Sequence, residues 1–241
     1  MTLARAAVAA WMLTIAAGVR ADAPLIAPLP TAGDTLPAPW RVIGLPRQKK
    51  PLTRFTLDEL DGRRAIRIEA DQSYGNLVHP LKVDPAAGHL AWQWRVDQPL
   101  PGANLREKGG DDTAAKVCVA FDLPLERVPF FERQLLRFAR MQTPEPLPAA
   151  TICYVWDAHL PAGTALDNAY TRRLRYLVLQ TGPAAPHQWA SERRDVAADF
   201  QALFGAESPQ VPPIIGVAVG ADADNTRGHS LAHVSGLSLE P

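Results

Sequence analysis

Apolar and polar residues alternate over many short stretches of this chain, a pattern typical of half-buried β-strands. The clearest stretch is His89–Asp97, in which every second residue from Leu90 to Val96 is a large apolar one. Trp92 and Trp94 share that apolar face and are predicted to fill the interior, with a flat platform for a sugar ring as the alternative. Further strands are predicted at Trp40–Gly44, Thr53–Leu60, Arg64–Asp71, Leu77–Val83, Lys116–Phe121, Thr151–Trp156, Arg173–Gln180, Gln188–Arg194, Ile214–Ala221 and Leu231–Leu239.

Two stretches have helical periodicity instead. Apolar residues recur at helical spacing within Leu125–Arg140, for example at Phe131, Leu135 and Phe138, which predicts one inserted amphipathic helix. Val196–Phe204 predicts a short helix. About ten strands with only two helices, and without alternation of strand and helix, predict a mainly β fold. The expected architecture is a two-sheet antiparallel β-sandwich of jelly-roll type.

The N-terminal region has the pattern of an export signal. Arg5 is followed by an apolar run from Ala6 to Gly18, and small residues then precede a cleavage site after Ala21. Residues 1–21 are therefore predicted to be a signal peptide, with an uncleaved membrane anchor as the alternative. Residues 22–39 are interpreted as an extended Pro/Ala-rich leader, and residues 40–241 as a single β-sandwich domain. The expected location is the periplasm or the outside of the cell.

The amino-acid composition argues against two classes of protein, namely nucleic-acid-binding proteins and disordered proteins. The 241 residues include 25 basic and 25 acidic side chains, so no long-range field favours nucleic acid, and no nucleic-acid partner is predicted. A hydrophobic content of 47% excludes a disordered chain. No span of the membrane is expected after the signal has been removed.

The two cysteines lie in separate predicted strands. Cys118 and Cys153 would close a loop of 35 residues if their strands were neighbours. An oxidising compartment permits such a disulfide. Two free, buried cysteines are the alternative interpretation.

Two loops are rich in oxygen-bearing side chains. The first follows the predicted strand Ile214–Ala221, and its polar residues are Asp222, Asp224, Asn225 and Thr226. Asp111 and Asp112 form the second and could complete a ligand set if the fold brings the loops together. Calcium is the cofactor that such oxygens would hold, although a turn whose carboxylates accept backbone N–H bonds explains the same residues. Asp111 and Asp112 are also candidate ligand-binding residues.

One tryptophan lies in a polar stretch. Trp189 is flanked by His187, Gln188 and Ser191, unlike the tryptophans within apolar strands. It is therefore the tryptophan predicted to be exposed and to contact a ligand.

Six motifs in order resemble those of an exported bacterial family catalogued as domain of unknown function 3047. They are Ala70–Gly75, Leu90–Trp94, Gly110–Asp112, Cys153–Asp157, Glu192–Asp195 followed by Asp199 and Phe200, and Ala221–Thr226. The resemblance covers residues 40 to 240 and implies no established activity. The last motif also resembles the end of galactose-binding-like β-sandwiches, a scaffold that often binds sugars.

The sequence contains no Gly-x-Ser-x-Gly, Walker or His-Glu-x-x-His motif and therefore names no catalytic residue. The leading hypothesis is a non-catalytic exported protein that binds a carbohydrate or another component of the cell envelope. A glycan hydrolase with two carboxylates is the first alternative. A structural or assembly factor with a protein partner is the second.

Overall fold

A computed structural model describes residues 24–84, 88–145, 147–182 and 188–240. Within them, one sheet contains β1 (Arg41–Ile43), β4 (Tyr74–Val83), β6 (Thr113–Phe121), β7 (Ala150–Asp157), β8 (Ala165–Asp167), β9 (Leu174–Thr181) and β11 (Ile214–Asp222). The other contains β2 (Arg54–Leu60), β3 (Arg63–Asp71), β5 (His89–Gln98), β10 (Ala190–Asp195) and β12 (His229–Glu240). The two helices are α1 (Phe130–Arg140) and α2 (Val196–Phe204).

The two sheets pack face to face as a β-sandwich, as predicted. The order of the seven-stranded sheet is β1-β4-β11-β6-β7-β9-β8, and that of the five-stranded sheet is β10-β5-β12-β3-β2. All pairs are antiparallel except β7 and β9, which are parallel. The prediction of a purely antiparallel sandwich therefore needs this one correction. Residues 158–173 are long enough to carry the chain back to the start of β7, which a tight hairpin cannot do.

The core between the sheets follows the predicted alternation. Trp92 and Trp94 are almost fully buried there, and their rings contact Tyr154 and Trp156 of the opposite sheet at centroid distances of 5.3 and 5.8 Å. The prediction that these tryptophans fill the interior is thus confirmed. Strand β11, predicted to be central because it is apolar on both faces, lies between β4 and β6.

Cys118 and Cys153 form a disulfide, which settles the alternative left open by the sequence. They are directly opposite each other on the neighbouring strands β6 and β7, with Cα atoms 4.1 Å apart. The bond lies on the face of the seven-stranded sheet that points away from the five-stranded sheet, among a second, smaller apolar cluster.

Helix α1 is shorter than predicted, and its apolar side faces the solvent. It begins at Phe130 because Pro129, which lacks an N–H, precedes it and holds Val128 in an extended conformation. The apolar residues that predicted the helix face the solvent: Phe131, Leu135 and Phe138 are 81%, 70% and 61% exposed. Leu136, on the opposite side, contacts the core.

The described part of the predicted leader, residues 24–39, lacks helix and strand and lies against the sandwich. Ile26 is buried in the core, and the Ala27 N–H donates to His79 Nε2 at 3.0 Å. Arg64 Nε donates to the Pro30 carbonyl at 2.8 Å. The order imposed by the sandwich thus extends before Trp40. The predicted signal peptide, residues 1–21, lies outside the described residues.

Among the described residues, the helices are all too short or too polar to cross a membrane.

Candidate functional site

The polar residues of interest lie on the outer face of the seven-stranded sheet, which is the face turned away from the five-stranded sheet. Because side chains alternate along a strand, the residues next to Leu77, Val117 and Val219 of the core point to this face. The outer face carries Tyr74 and Asn76 on β4, Gly220 and Asp222 on β11, Lys116 and Cys118 on β6, and Tyr176 on β9.

A buried ion pair joins β6 and β11. Lys116 Nζ lies 2.9 Å from Asp222 Oδ2, and the two side chains are only 3% and 4% exposed. The other carboxylate oxygen accepts from the Thr113 N–H at 2.9 Å and from the Thr113 hydroxyl. Burial lowers the pKa of Lys116, but Asp222 and Tyr74 together raise it by a larger amount. The pKa of Lys116 is therefore above its ordinary value. Lys116 therefore remains charged.

Gly220 makes room for this arrangement. A Cβ at this position would lie 2.5 Å from Asn76 Oδ1 and 3.0 Å from Lys116 Cε. The Lys116 ammonium also lies 4.8 Å from the centroid of the Tyr74 ring. The absence of a side chain at Gly220 thus leaves space on the sheet for the side chains of Lys116 and Asn76.

Asp111 is held beside this pair by two hydrogen bonds. Tyr176 donates its hydroxyl to Oδ1 at 3.0 Å, and Asn168 Nδ2 donates to Oδ2 at 2.5 Å. Burial, followed by the negative charge of Asp222, raises the pKa of Asp111 to about 6. Asp111 and Asp222 are therefore two neighbouring carboxyl groups in different environments.

The two acidic loops are brought together, and Asp112 is the contact between them. Its carboxylate accepts from the backbone N–H of Asn225 and Thr226 at 3.2 and 2.7 Å, and from their side chains at 3.1 and 2.6 Å. Asn225 Nδ2 also donates to the Asp111 carbonyl at 3.1 Å. The carboxylate thus acts as an anchor for the turn, which was the structural alternative to a ligand site.

Asp224 is arranged differently from the other acids. Its backbone carbonyl accepts from Lys50 Nζ at 2.9 Å, whereas its Oδ1 atom is buried and has no hydrogen-bond partner. Burial, with the charges of Asp112 and Asp222, raises the pKa of Asp224. Asp224 is a half-buried residue, so its carboxylate is the acidic group of this turn that a ligand donor could satisfy.

The arrangement does not support calcium. Over the described part of the chain, the placement of His, Cys, Asp and Glu side chains gives no group of three or more that could hold a metal ion. The oxygens of Asp112 already accept loop N–H groups, and Asp222 has the Lys116 ammonium, which would repel a cation. The predicted set of Asp222, Asp224, Asn225 and Thr226 therefore does not form a shell around one point.

An exposed tyrosine borders the turn. Tyr170 is 57% exposed, and its single hydroxyl hydrogen is shared between the Lys108 carbonyl at 2.8 Å and Asn225 Oδ1 at 3.0 Å. The Lys108 ammonium lies 5.4 Å from the ring centroid. Asp111, Asp224 and Asp112 contribute, after burial, to a raised pKa of Tyr170, so the ring lies close to all three acids.

Trp189 is not part of this cluster. Its Nε1 donates to Asp61 Oδ2 at 3.0 Å, and the guanidinium groups of Arg63 and Arg95 lie 5.2 and 5.8 Å from its ring. It is half-buried beside the five-stranded sheet, not exposed as predicted. A polar sequence neighbourhood indicated exposure, but arginines that are distant in sequence cover the ring.

Sequence reasoning missed several members of the site, namely Tyr74, Asn76, Lys116, Asn168, Tyr170 and Tyr176. A signal for one of them was present, since Lys116 is a lone charge at the start of an apolar strand. Such a lysine in a central strand requires a partner, because an unpaired buried charge is strongly unfavourable. The tyrosines resemble ordinary strand residues and carry no such signal.

Asp111 is expected to make the protein less stable as the pH rises from about 4 to about 6. Its pKa is about 6 in the folded protein, above the ordinary value of 3.8. The folded state therefore binds more protons than the unfolded state in this window, and the free energy of unfolding falls as they are released. Urea denaturation measures the free energy of unfolding at about pH 4.5 and about pH 7. The decrease between these two pH values should be about 2 kcal/mol larger in the natural protein than in Asp111→Asn.

The exposed Asp122 offers a matched control. Asp122→Asn should retain the pH dependence of the natural protein. Equal losses in the natural protein and Asp111→Asn would show that Asp111 titrates normally.

Three solved structures similar to this chain are described as two xyloglucanases and an endoglucanase. The first is the xyloglucanase domain of NopAA, a type three effector from Sinorhizobium fredii, in complex with cellobiose; it has 8% sequence identity and a TM-score of 0.45, and the match covers 86% of this chain and 95% of that one. The second is a native family 12 xyloglucanase from Bacillus licheniformis, with 8% identity, a TM-score of 0.43, and coverage of 90% of this chain and 98% of that one. The third is endoglucanase 3 of family GH12 from Trichoderma harzianum, with 9% identity, a TM-score of 0.38, and coverage of 85% of this chain and 98% of that one. None of the three is a galactose-binding-like module. TM-scores below 0.5 are too low to assign any of their functions to this chain.

No curated protein sequence matches the chain. The sequence pattern of one family matches residues 38–238, nearly the same region that the six motifs covered. The chain therefore belongs to the family described as protein of unknown function (DUF3047).

Proposed function

We propose that the protein is an exported, non-catalytic binding protein and that the edge of its outer face around Tyr170 and Asp224 binds a carbohydrate. One observation carries the proposal: the buried Asp224 Oδ1 has no hydrogen-bond partner, and it lies near an exposed aromatic ring of fixed orientation. Export rests on the predicted signal peptide, residues 1–21. The calcium considered for the same turn has no part in the proposal.

The Tyr170 ring is suited to stacking against a sugar. Its hydroxyl hydrogen is shared between the Lys108 carbonyl and Asn225 Oδ1, so little side-chain freedom remains to be lost on binding. Aromatic side chains supply a large apolar contact area with a polar end. The exposed side of the ring is therefore a preformed surface for the C–H face of a pyranose.

Polar groups of both kinds surround the ring. The half-buried Asp224 carboxylate can accept a hydroxyl hydrogen, while Lys108 and Lys50 have ammonium groups that donate to a hydroxyl oxygen. A few convergent polar groups around an apolar contact are typical of small-molecule sites. This combination favours a polyhydroxylated ligand over a purely apolar one.

A binding role agrees with the way the other acids are used. The carboxylate oxygens of Asp111, Asp112 and Asp222 all accept hydrogen bonds from the protein, and Lys116 neutralises Asp222. A glycosidase needs two carboxyl groups that flank the bond to be cleaved. These three are instead directed into the fold.

One observation favours the hydrolase alternative. Asp111 has a pKa of about 6 and lies beside Asp222, which is paired with Lys116. Two carboxyl groups with different environments are the pattern of a general acid and its partner. Release of reducing sugar that is lost in Asp111→Asn, with binding retained, would establish this alternative over the proposal.

The test is calorimetric titration with a panel of soluble oligosaccharides that includes peptidoglycan and lipopolysaccharide fragments. Tyr170→Ala is expected to weaken binding by about tenfold or more, since aromatic contacts contribute roughly 1–3 kcal/mol. Asp224→Asn should weaken it by about five- to tenfold, because one charged acceptor is lost. Asp122→Asn, an exposed acid at the other end of β6, is the matched control.

Two results would overturn the proposal. The first is the absence of binding to every oligosaccharide in the panel, which favours the assembly-factor alternative. The second is binding that Tyr170→Ala leaves unchanged while the variant remains folded by circular dichroism.

A further inference from the structure

Helix α1 presents its apolar side to the solvent. Phe130, Phe131, Leu135, Phe138 and Met141 are all exposed. Successive residues of a helix are about 100° apart, so these five, of which Met141 is the C-cap, cover one arc of about 140° that also contains the exposed Gln134. We name these five residues the apolar face of α1.

The opposite side fixes the helix to the sandwich. Leu136 is buried in the core, and Glu132 pairs with Arg173. The Arg140 guanidinium donates to the Leu147 carbonyl at 2.9 and 2.7 Å. The orientation of the apolar face is therefore set by contacts on the inner side, and a large apolar surface of this kind marks an interaction site.

Within α1, the charged residues that border the apolar face are arginines. Arg133 and Arg137 border it on the side of Phe130, and the Arg133 guanidinium lies 5.7 Å from the Phe130 ring. Glu132 is the only acidic residue within α1, and it points inward to Arg173. Although the whole chain has equal numbers of acidic and basic residues, this local surface is apolar and cationic.

That combination distinguishes between possible occupants. If a second copy of the chain bound to this face, the arginines of the two copies would lie close together and repel each other, because α1 offers no carboxylate to pair with them. An anionic lipid surface fits both the apolar residues and the arginines. The apolar side chains would contact the acyl chains, and the arginines would pair with the anionic headgroups. The phenylalanines, leucine and methionine on one side and arginines beside them are the composition of a helix that lies in the membrane interface.

We propose that α1 docks the protein on the surface of a bilayer rich in anionic lipid. The helix lies in the plane of the interface, with Phe131, Leu135 and Phe138 inserted and Arg133 and Arg137 at the headgroups. Because α1 is already folded and anchored, docking requires no coupled folding. This role is independent of the carbohydrate site, which involves other loops.

The experiment is flotation of the full chain with lipid vesicles. One set contains about 30 mol% phosphatidylglycerol in phosphatidylcholine, and the other contains phosphatidylcholine alone. The natural protein is expected to float with the anionic vesicles at about 0.1 M salt and to bind more weakly at about 0.5 M. Binding to the zwitterionic vesicles should be at least tenfold weaker.

Variants separate the two contributions. Phe131→Ser, Leu135→Ser and Phe138→Ser together should abolish flotation, and the free protein should remain folded because all three side chains are exposed. Arg133→Gln with Arg137→Gln should weaken binding to anionic vesicles about 10- to 30-fold, given a contribution of roughly fivefold per arginine. Leu45→Ser with Leu52→Ser removes exposed apolar residues elsewhere and should bind normally.

Three results would overturn the proposal. They are no flotation of the natural protein, flotation unaffected by the triple substitution, and a concentration-dependent dimer that the triple substitution dissociates while vesicles are not bound. The last result would assign the face to a second copy.

Discussion

Replacing Lys116 by Met is expected to lower the free energy of unfolding by about 3–5 kcal/mol. The substitution keeps the length and apolar stem of the side chain but leaves the Asp222 carboxylate without its opposite charge, at 4% exposure. An uncompensated charge in such a place is costly, because water cannot replace the lost partner. Guanidinium denaturation near neutral pH measures the loss directly.

The double variant Lys116→Met with Asp222→Asn is the informative control. The amide oxygen of Asn can still accept from the Thr113 N–H, and no charge remains buried. Much of the lost stability should therefore return. Lys82→Met, on an exposed position of β4, should change stability by less than about 0.5 kcal/mol. If Lys116→Met alone were as stable as the natural protein, the buried Asp222 carboxylate would not need the charge of Lys116.

Replacing both Cys118 and Cys153 by Ala is expected to lower the free energy of unfolding by about 3–4 kcal/mol. The bond spans a sequence separation of 35 residues, and its loss gives the unfolded chain more conformations. Part of the effect will come from packing, because both residues belong to the smaller apolar cluster. Denaturant midpoints with and without reductant provide the measurement.

The reductant supplies the matched comparison. It should lower the midpoint of the natural protein toward that of the double alanine variant and leave the variant unchanged. If the natural protein has the same midpoint in both conditions, the bond contributes nothing measurable.

The sequence was a good guide wherever one face of an element is buried against the other sheet. The alternation in β5 correctly predicted that Trp92 and Trp94 fill the core, and the doubly apolar β11 was correctly predicted to be central. The order of the strands was not predictable, because pairing depends on residues far apart in the chain. The parallel pair of β7 and β9 illustrates this, since nothing within either strand specifies its direction.

Helix α1 shows a different limit of sequence reasoning. The spacing of Phe131, Leu135 and Phe138 predicted a helix, and a helix is present. Periodicity identifies an apolar side but not what covers it, so the exposure of that side could only be found in the structure. Surrounding contacts, such as Glu132 with Arg173, decide the orientation.

The candidate site was partly predictable for a similar reason. The meeting of Asp112 with Asn225 and Thr226 was anticipated as one outcome of two acidic loops. Lys116 and Asp222 are 106 residues apart, so their pairing required knowledge of the sheet order. Without Lys116, the turn looked like a set of free oxygens suited to calcium.

The position of β12 has a consequence for biosynthesis. It lies between β5 and β3, yet it is made after both of them and after every other strand of its sheet. Until its 12 residues have emerged, a nascent chain exposes two unpaired strand edges beside the apolar faces of Ile66, Ile68 and Trp94. Strand β11 imposes the same delay on β4 and β6 in the other sheet. The growing polypeptide must therefore be kept from aggregating until β11 and β12 have been made, because the seven-stranded sheet cannot close before β11 and the five-stranded sheet cannot close before β12.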